Sequence, residues 1–442
     1  MANPDLGDPA TLRQLLISRG VPADADDEAL LAAARSAKHK LHITVLSARE
    51  STGQSLSPEQ KAELEAYRQR LERYRAAWTI VAGAAPHAQV VKGWTIGDHY
   101  PPGLLRSAGD LDVVCRPDEL WAAARALIDR GWELEALTLF PAGGRSRPSG
   151  DASSWCQIAL VVTRPGDCDL IDEPLDVELR TADVATSIRV PAWRHSGASM
   201  PPAAANVLAL AAERWERPFR TRDIYDLAIL ADQLDPAGLE ALDGALTATM
   251  LWPQLRELAR LLRHSSLATA PDQRGGGRAT WPYLPGGGRA TGPDQRGGGR
   301  AAGPDQPGGG RATWPYLPGG RRAAWRSRSA RLRHSTALWL HPLRVAGLAA
   351  ISTTDADRGA MADRLAQAVQ RRIGSWRLLR LGLPLFAVPL PSGSRPETDG
   401  LELGLELERR GPHLVARTPI GSFLMVAGSC PQAWLDEASG AK

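Results

Sequence analysis

Cysteine is scarce in this 442-residue chain: four residues, Cys115, Cys156, Cys168 and Cys430, with no CxxC pair among them. Such spacing argues against a disulfide framework or a zinc-ligand pattern and suits reduced thiols in a cytoplasmic protein. A secretory signal is not in evidence either. The first residues, MANPDLGDPATLRQ, are polar and acidic where a signal needs a basic start and an apolar run. Long hydrophobic runs are missing too. The longest, from Leu379 to Leu390, is interrupted by Pro384 and Pro389 and falls short of the roughly 20 residues that cross a bilayer. A soluble protein with no membrane partner is expected. Nor does one sign of charge dominate, since 53 basic and 49 acidic side chains leave a net charge of +4. Bulk charge therefore announces no nucleic-acid partner. What is present is an ordinary 43% apolar content and a length beyond what one core usually organises.

Five segments are expected along the chain. Residues 1–84 read as an N-terminal helical region. Within it, 58–81 has Ser57 as N-cap, Pro58 at the first helical position, Glu59 in the first turn, and Leu64, Tyr67, Leu71, Tyr74 and Trp78 at helical spacing. A second helix is expected over 29–48, where His39 and His42 lack a third ligand and read as solvated. Residues 85–195 change to short apolar runs, giving strands at 89–91, 111–115, 157–162 and 175–179. Helices open near Trp94 and over 117–130, the latter stopped by Gly131. Residues 196–268 read as helices alone. Residues 269–324 are eleven-residue units such as WPYLPGGGRAT and GPDQPGGGRAT. Rich in Gly, Pro and Arg, they offer little apolar surface to offset the entropy of ordering, so a disordered linker is expected. Residues 325–442 begin with the basic run RSRSARLRH and end on alternating stretches at 401–408, 413–418 and 422–426, which predict a small antiparallel sheet. The expected fold class is α+β: a small mixed-sheet domain between a helical cap and a helical domain, with a small C-terminal α+β region.

Chemistry concentrates between Lys92 and Asp112. Asp110 and Asp112 flank Leu111 on a strand, so their side chains share one side. Two carboxylates so close repel each other unless a cation lies between them, an arrangement that suits Mg²⁺. A third acid is available in Leu175-Asp176-Val177-Glu178-Leu179, either Asp176 or Glu178, with Asp176 the first choice. Upstream, Lys92-Gly93-Trp94 joins a strand to a helix, and a glycine at such a turn lets phosphate oxygens approach backbone N–H groups. Arg106 and Ser107 offer a cation and a hydroxyl to the same phosphates.

The string KG-W-T-I…Y-P…R-S-x-x-D-L-D-V-V resembles bacterial uncharacterised nucleotidyltransferases of the polymerase-β-type superfamily. Residues 203–230, AAANVLALAAERWERPFRTRDIYDLAIL, are similar to the helix pair that follows the catalytic domain in AbiEii-type nucleotidyltransferases. The resemblance covers roughly residues 60–235. The resemblance implies Mg²⁺ ions held by Asp110, Asp112 and Asp176, an NTP whose α-phosphorus is attacked by a hydroxyl, and departure of pyrophosphate. It also implies that Lys92, Gly93, Trp94, Arg106, Ser107, Arg222 and Asp223 bind nucleotide, with Arg214, Tyr225 and Asp226 completing the second motif. A small molecule, a tRNA or a protein remains open as the acceptor. Two positions depart from the pattern: Trp94 stands where Gly or Ser is usual, and Asn206 where AbiEii-type chains commonly have lysine. Those departures keep open a catalytically degenerate binding protein of the same fold, and the Gly/Arg-rich linker an RNA-associated protein. Arg222, Asp223 and Asp226, three and four apart, also suit a plain ion cluster on a helix face.

Overall fold

The computed structural model describes residues 5–141, 156–164, 174–182, 200–214, 217–267, 367–380, 385–390, 404–427 and 430–439. The repeat segment 269–324, the basic run after it and Cys168 lie outside the described residues.

Helices α1 (Pro9–Ser18), α2 (Asp27–Arg35), α3 (His42–Ser51) and α4 (Pro58–Ala84) open the chain. Ser57 caps α4 in a reciprocal box with Gln60, which fixes the start of the helix locally. The single helix expected over 29–48 is two. The chain turns at Ser36, Lys40 takes a φ of +47°, and the Leu41 N–H returns to the Ala34 carbonyl at 2.9 Å. His39 lies in that turn and is 4% exposed, its Nδ1 2.6 Å from Thr221 Oγ1, so it is buried rather than solvated. Apolar spacing alone did not reveal this break, because both halves keep the same periodicity.

Among the described residues nine strands form one sheet: β1 (Gln89–Val91), β2 (Asp110–Val114), β3 (Glu133–Pro141), β4 (Cys156–Arg164), β5 (Leu175–Arg180), β6 (Leu385–Pro389), β7 (Glu406–Arg410), β8 (His413–Thr418) and β9 (Gly421–Val426). Their order is β1-β2-β5-β4-β3-β6-β9-β8-β7. The β2–β5 pair is parallel and the other neighbours are antiparallel. The C-terminal strands are antiparallel as expected, yet they are not a sheet of their own. Through β6, where Leu385 faces Leu139 and Phe386 faces Thr138, they extend the central one. Alternation marks a strand but does not name its neighbour, and β3 and β6 are far apart in the chain.

Between the strands run α5 (Trp94–Gly97) and α6 (Pro117–Ile128), and beyond β5 come α7 (Pro202–Glu213), α8 (Thr221–Ala231), α9 (Pro236–Thr249) and α10 (Trp252–Arg263). Short helices, among them α11 (Ser375–Arg380) and α12 (Gln432–Ser439), accompany the C-terminal strands. Among the described residues no helix is long and apolar enough to cross a membrane.

Helix α4 serves two cores. Its first half gives Leu64, Tyr67 and Leu71 to a helical core shared with Leu46, Leu208, Leu227 and Leu246. Its second half gives Tyr74, Ala77 and Val81 to the core under the sheet, with Leu120 and Leu127 of α6. Burying each such leucine contributes roughly 1.5–3 kcal/mol. That second core takes Leu111, Val113, Val177 and Leu179, and because strand side chains alternate, the intervening carboxylates must face the other way.

Candidate functional site

Parallel pairing of β2 with β5 sets Asp110 opposite Asp176 and Asp112 opposite Glu178, so four carboxylates share one sheet face in two rows. Asp112 is 2% exposed, whereas Asp110 stands at the open entrance of its strand. Among the described residues, Asp112 Oδ2 and Asp176 Oδ1 are buried with no hydrogen-bond partner, as is Oγ1 of Thr163, which pairs with Asp176 across the β4–β5 ladder. The negative charge of Asp112, and then burial, raise the Asp110 pKa above the usual carboxylate range. Burial pushes Glu178 up to about 8, with Asp112 adding to the effect and Arg180 opposing it. The buried, unpartnered acceptor oxygens of Asp112 and Asp176, beside Asp110 and Glu178 whose carboxyls are held above the usual range, are a fitting environment for a cation. Among the described residues, however, no three His, Cys, Asp or Glu side chains converge into a ready metal-ligand cluster.

Helix α4 holds the entrances of both strands. Arg70 donates to the carbonyls of Gly109 at 2.9 Å and Pro174 at 2.7 Å, and the Tyr74 hydroxyl donates to Gly109 at 2.5 Å. These carbonyls lie one residue ahead of β2 and of β5, so one helix sets where both carboxylate rows begin.

The turn after β1 brings cations to the same face. Lys92 and Gly93 both have positive φ, +62° and +53°, a region that L residues other than glycine occupy at some strain. The strain is held by Asn206 on α7, whose Oδ1 accepts the Lys92 backbone N–H at 2.5 Å and whose Nδ2 donates to Thr95 Oγ1 at 3.3 Å. The Lys92 ammonium lies 2.6 Å from Glu213 Oε1 and 3.5 Å from Asp112 Oδ2. Burial alone would lower its pKa, but Asp112 and Glu213 outweigh burial and hold it above the usual lysine value. Glu213 is pushed up by burial and pulled down further by Lys92 and Arg217, ending at about 2. Arg180 NH1 stands 3.9 Å from both Asp112 Oδ1 and Glu178 Oε1.

Several residues expected to meet nucleotide have other employment. Arg106 is a buried brace: its Nε reaches Asp226 Oδ1 and Oδ2 at 3.0 and 3.1 Å, its NH2 reaches Oδ2 at 2.8 Å, and its NH1 donates to the Gly93 carbonyl at 3.3 Å. The Tyr100 hydroxyl donates to the same Asp226 at 2.6 Å. Asp223 is fully buried, accepting from the Arg220 N–H at 2.8 Å and from Arg217 at 2.7 Å, and so closes the first turn of α8. Arg214 pairs with Glu257, and the buried Tyr225 donates to the Leu6 carbonyl. Asp223 and Asp226 are thus ion-paired, but with Arg217 and Arg106 rather than in a cluster with Arg222 along the helix face, where Arg222 Nε stays 4.0 Å from Asp226. Trp94 packs partly buried against the core under the sheet. Gly93 precedes only a single helical turn. Ser107 is half-buried and its carbonyl accepts from Arg222 NH1 at 2.6 Å. Arg222 is the member of the second motif that bears on the carboxylates, for its charge opposes the upward shift of Asp110.

Glu213, Arg180 and Arg70 carry no functional reading in the sequence, and Tyr74 is read there only as part of the helical spacing over 58–81. A signal existed for the first: Asn206 and Glu213 are seven apart, two turns, on a helix made, after Pro202, otherwise of Ala, Leu and Val, which sets both on one face. Arg180 continues the alternation of Asp176 and Glu178. No family model matches this chain, and neither a curated protein nor a solved structure shows significant similarity to it.

Proposed function

We propose that this chain is a Mg²⁺-dependent nucleotidyltransferase with a polymerase-β-type core, moving a nucleoside monophosphate from an NTP to a hydroxyl acceptor with release of pyrophosphate. The observation that carries the reading is the β2–β5 register, which lines up Asp110 with Asp176 and Asp112 with Glu178 on one face. Asp110, Asp112 and Asp176 are the residues to hold the metal. Asp176 is preferred over Glu178 because its Oδ1 lacks a donor, whereas Glu178 stands 3.9 Å from the Arg180 guanidinium. Bound there, Mg²⁺ supplies positive charge to the triphosphate and to the leaving pyrophosphate. The chain supplies the rest. The Lys92-Gly93 turn, pinned by Asn206, offers a strained backbone and an ammonium at the end of the carboxylate face. Arg222, held to the Ser107 carbonyl, adds a positive charge that acts on Asp110. An O–P bond forms between the acceptor and the α-phosphorus as the bond to the β-phosphate breaks. A small molecule, a tRNA end and a protein side chain all present the hydroxyl this chemistry needs. A cytoplasmic location belongs to the same proposal, supported by the scarcity of cysteine.

A second reading, a degenerate nucleotide-binding protein, is favoured by the ammonium already beside Asp112 and by the lack of a converged acid cluster among the described residues. Incubation with each α-labelled NTP, Mg²⁺ and a cell lysate separates the two. Label transfer that disappears in the Asp110→Asn/Asp112→Asn double variant supports the enzyme. Equal labelling by both proteins removes these carboxylates from the reaction, and nucleotide binding without transfer selects the second reading.

A further inference from the structure

We infer that Lys92 is the resident counter-ion of the carboxylate face: it neutralises Asp112 in the metal-free protein and withdraws onto Glu213 when a divalent cation arrives. The inference rests on the Mg²⁺ reading of that face and concerns how the metal is admitted.

The ammonium has two unequal partners. Its contact with Glu213 Oε1 is a direct 2.6 Å hydrogen bond, while Asp112 Oδ2 is 3.5 Å away and forms no hydrogen bond among the described residues. All three groups are shielded, with side-chain exposures of 15% for Lys92, 15% for Glu213 and 2% for Asp112. An ammonium and a divalent cation sharing one buried carboxylate repel each other strongly, so the two compete for Asp112. Withdrawal is inexpensive because the stronger contact is kept. Glu213 is independently secured by Arg217 at 2.9 Å and is ready to hold the ammonium alone, so no buried charge is left unpaired. The backbone does not need to move either, since Asn206 fixes the Lys92 N–H and the Lys92 φ of +62°. The exchange is a side-chain motion about a fixed point.

The arrangement accounts for two features together. Lys92, together with Arg180, partly offsets the repulsion between the neighbouring Asp110 and Asp112. Glu213, a largely shielded acid on a helix whose other polar residue is Asn206, is where the Lys92 ammonium rests once it has been displaced. A triphosphate arriving with its own metal also brings oxygens for the freed ammonium, so the device favours nucleotide-borne metal over free metal.

The two ends of the device predict opposite effects on the affinity of the full-length protein for Mn²⁺ alone, read by calorimetry or by electron paramagnetic resonance of free Mn²⁺. Lys92→Met removes the competitor and should tighten binding about tenfold or more. Lys92→Arg keeps the charge and should not tighten it. Glu213→Gln removes the resting place, drives the ammonium onto Asp112 and should weaken binding. Should Lys92→Met fold poorly, the Glu213→Gln result decides alone. Mn²⁺ binding that is lost in Asp112→Asn, yet unchanged or weaker in Lys92→Met, or unchanged or tighter in Glu213→Gln, overturns the counter-ion role while leaving the metal site standing. No Mn²⁺ binding to either wild type or Lys92→Met overturns the metal site, and the counter-ion role with it.

Discussion

Arg106→Met takes a guanidinium out of a place with almost no water and leaves its acid behind. The side chains are 3% and 0% exposed for Arg106 and Asp226, and three N–O contacts between 2.8 and 3.1 Å join them. Without the arginine, Asp226 retains the Tyr100 hydroxyl at 2.6 Å as its direct donor and a distant Arg222 Nε at 4.0 Å. Removing one partner of a buried pair costs about 3–5 kcal/mol, mostly the penalty for the charge left behind. The Gly93 carbonyl also loses a donor, worth about 1 kcal/mol. A loss of about 4 kcal/mol is therefore expected in urea unfolding followed by circular dichroism. Arg106→Met/Asp226→Leu, which removes both charges, should recover much of that loss. A brace and a phosphate ligand differ sharply in this assay. If Arg106→Met unfolds within about 1 kcal/mol of wild type while NTP affinity collapses, the brace assignment is refuted and the arginine is a nucleotide ligand after all.

Other expectations follow from the same geometry. Burial, with Lys38 and Arg19 nearby, lowers the His39 pKa from 6.5 to about 4. The unfolded chain then binds the proton first, so the contribution of His39 to stability is complete above about pH 6.5 and is lost as pH falls toward 4. His39→Gln should flatten that part of the stability profile, and an unchanged slope would count against the buried neutral imidazole. Asn206→Ala leaves the Lys92 N–H without its acceptor and should cost about 1–3 kcal/mol in unfolding while weakening nucleotide affinity. A loss of stability with affinity intact would detach the turn from the site. Ser57→Ala removes the α4 cap and should cost about 1 kcal/mol with no change in nucleotide affinity.

What could be read from the sequence was mostly local. Ser57 and Pro58 announce the start of α4 because capping involves only near neighbours. The alternation of Asp110-Leu111-Asp112 and of Asp176-Val177-Glu178 tells which side chains share a face, since strand geometry enforces it. Which strand lies beside which is another matter. The parallel β2–β5 register and the β3–β6 junction are set by packing between distant segments, and no local pattern encodes them. The same limit governs Arg106, whose partner Asp226 lies 120 residues away. An arginine close before an Asp-x-Asp pair suits a phosphate ligand equally well until that acid is found. Lys40 shows the converse failure, because its turn splits a stretch whose apolar spacing runs on unbroken.

Nucleotidyl transfer at the carboxylate face is most directly tested by running parallel reactions with α-labelled and γ-labelled NTP, Mg²⁺ and a lysate as the source of acceptor. The account predicts that α-label appears in a product, that γ-label is released as pyrophosphate in equal amount, and that both signals vanish in Asp110→Asn/Asp112→Asn. Transfer of γ-label to the product, or α-label transfer that survives the double substitution, would contradict it.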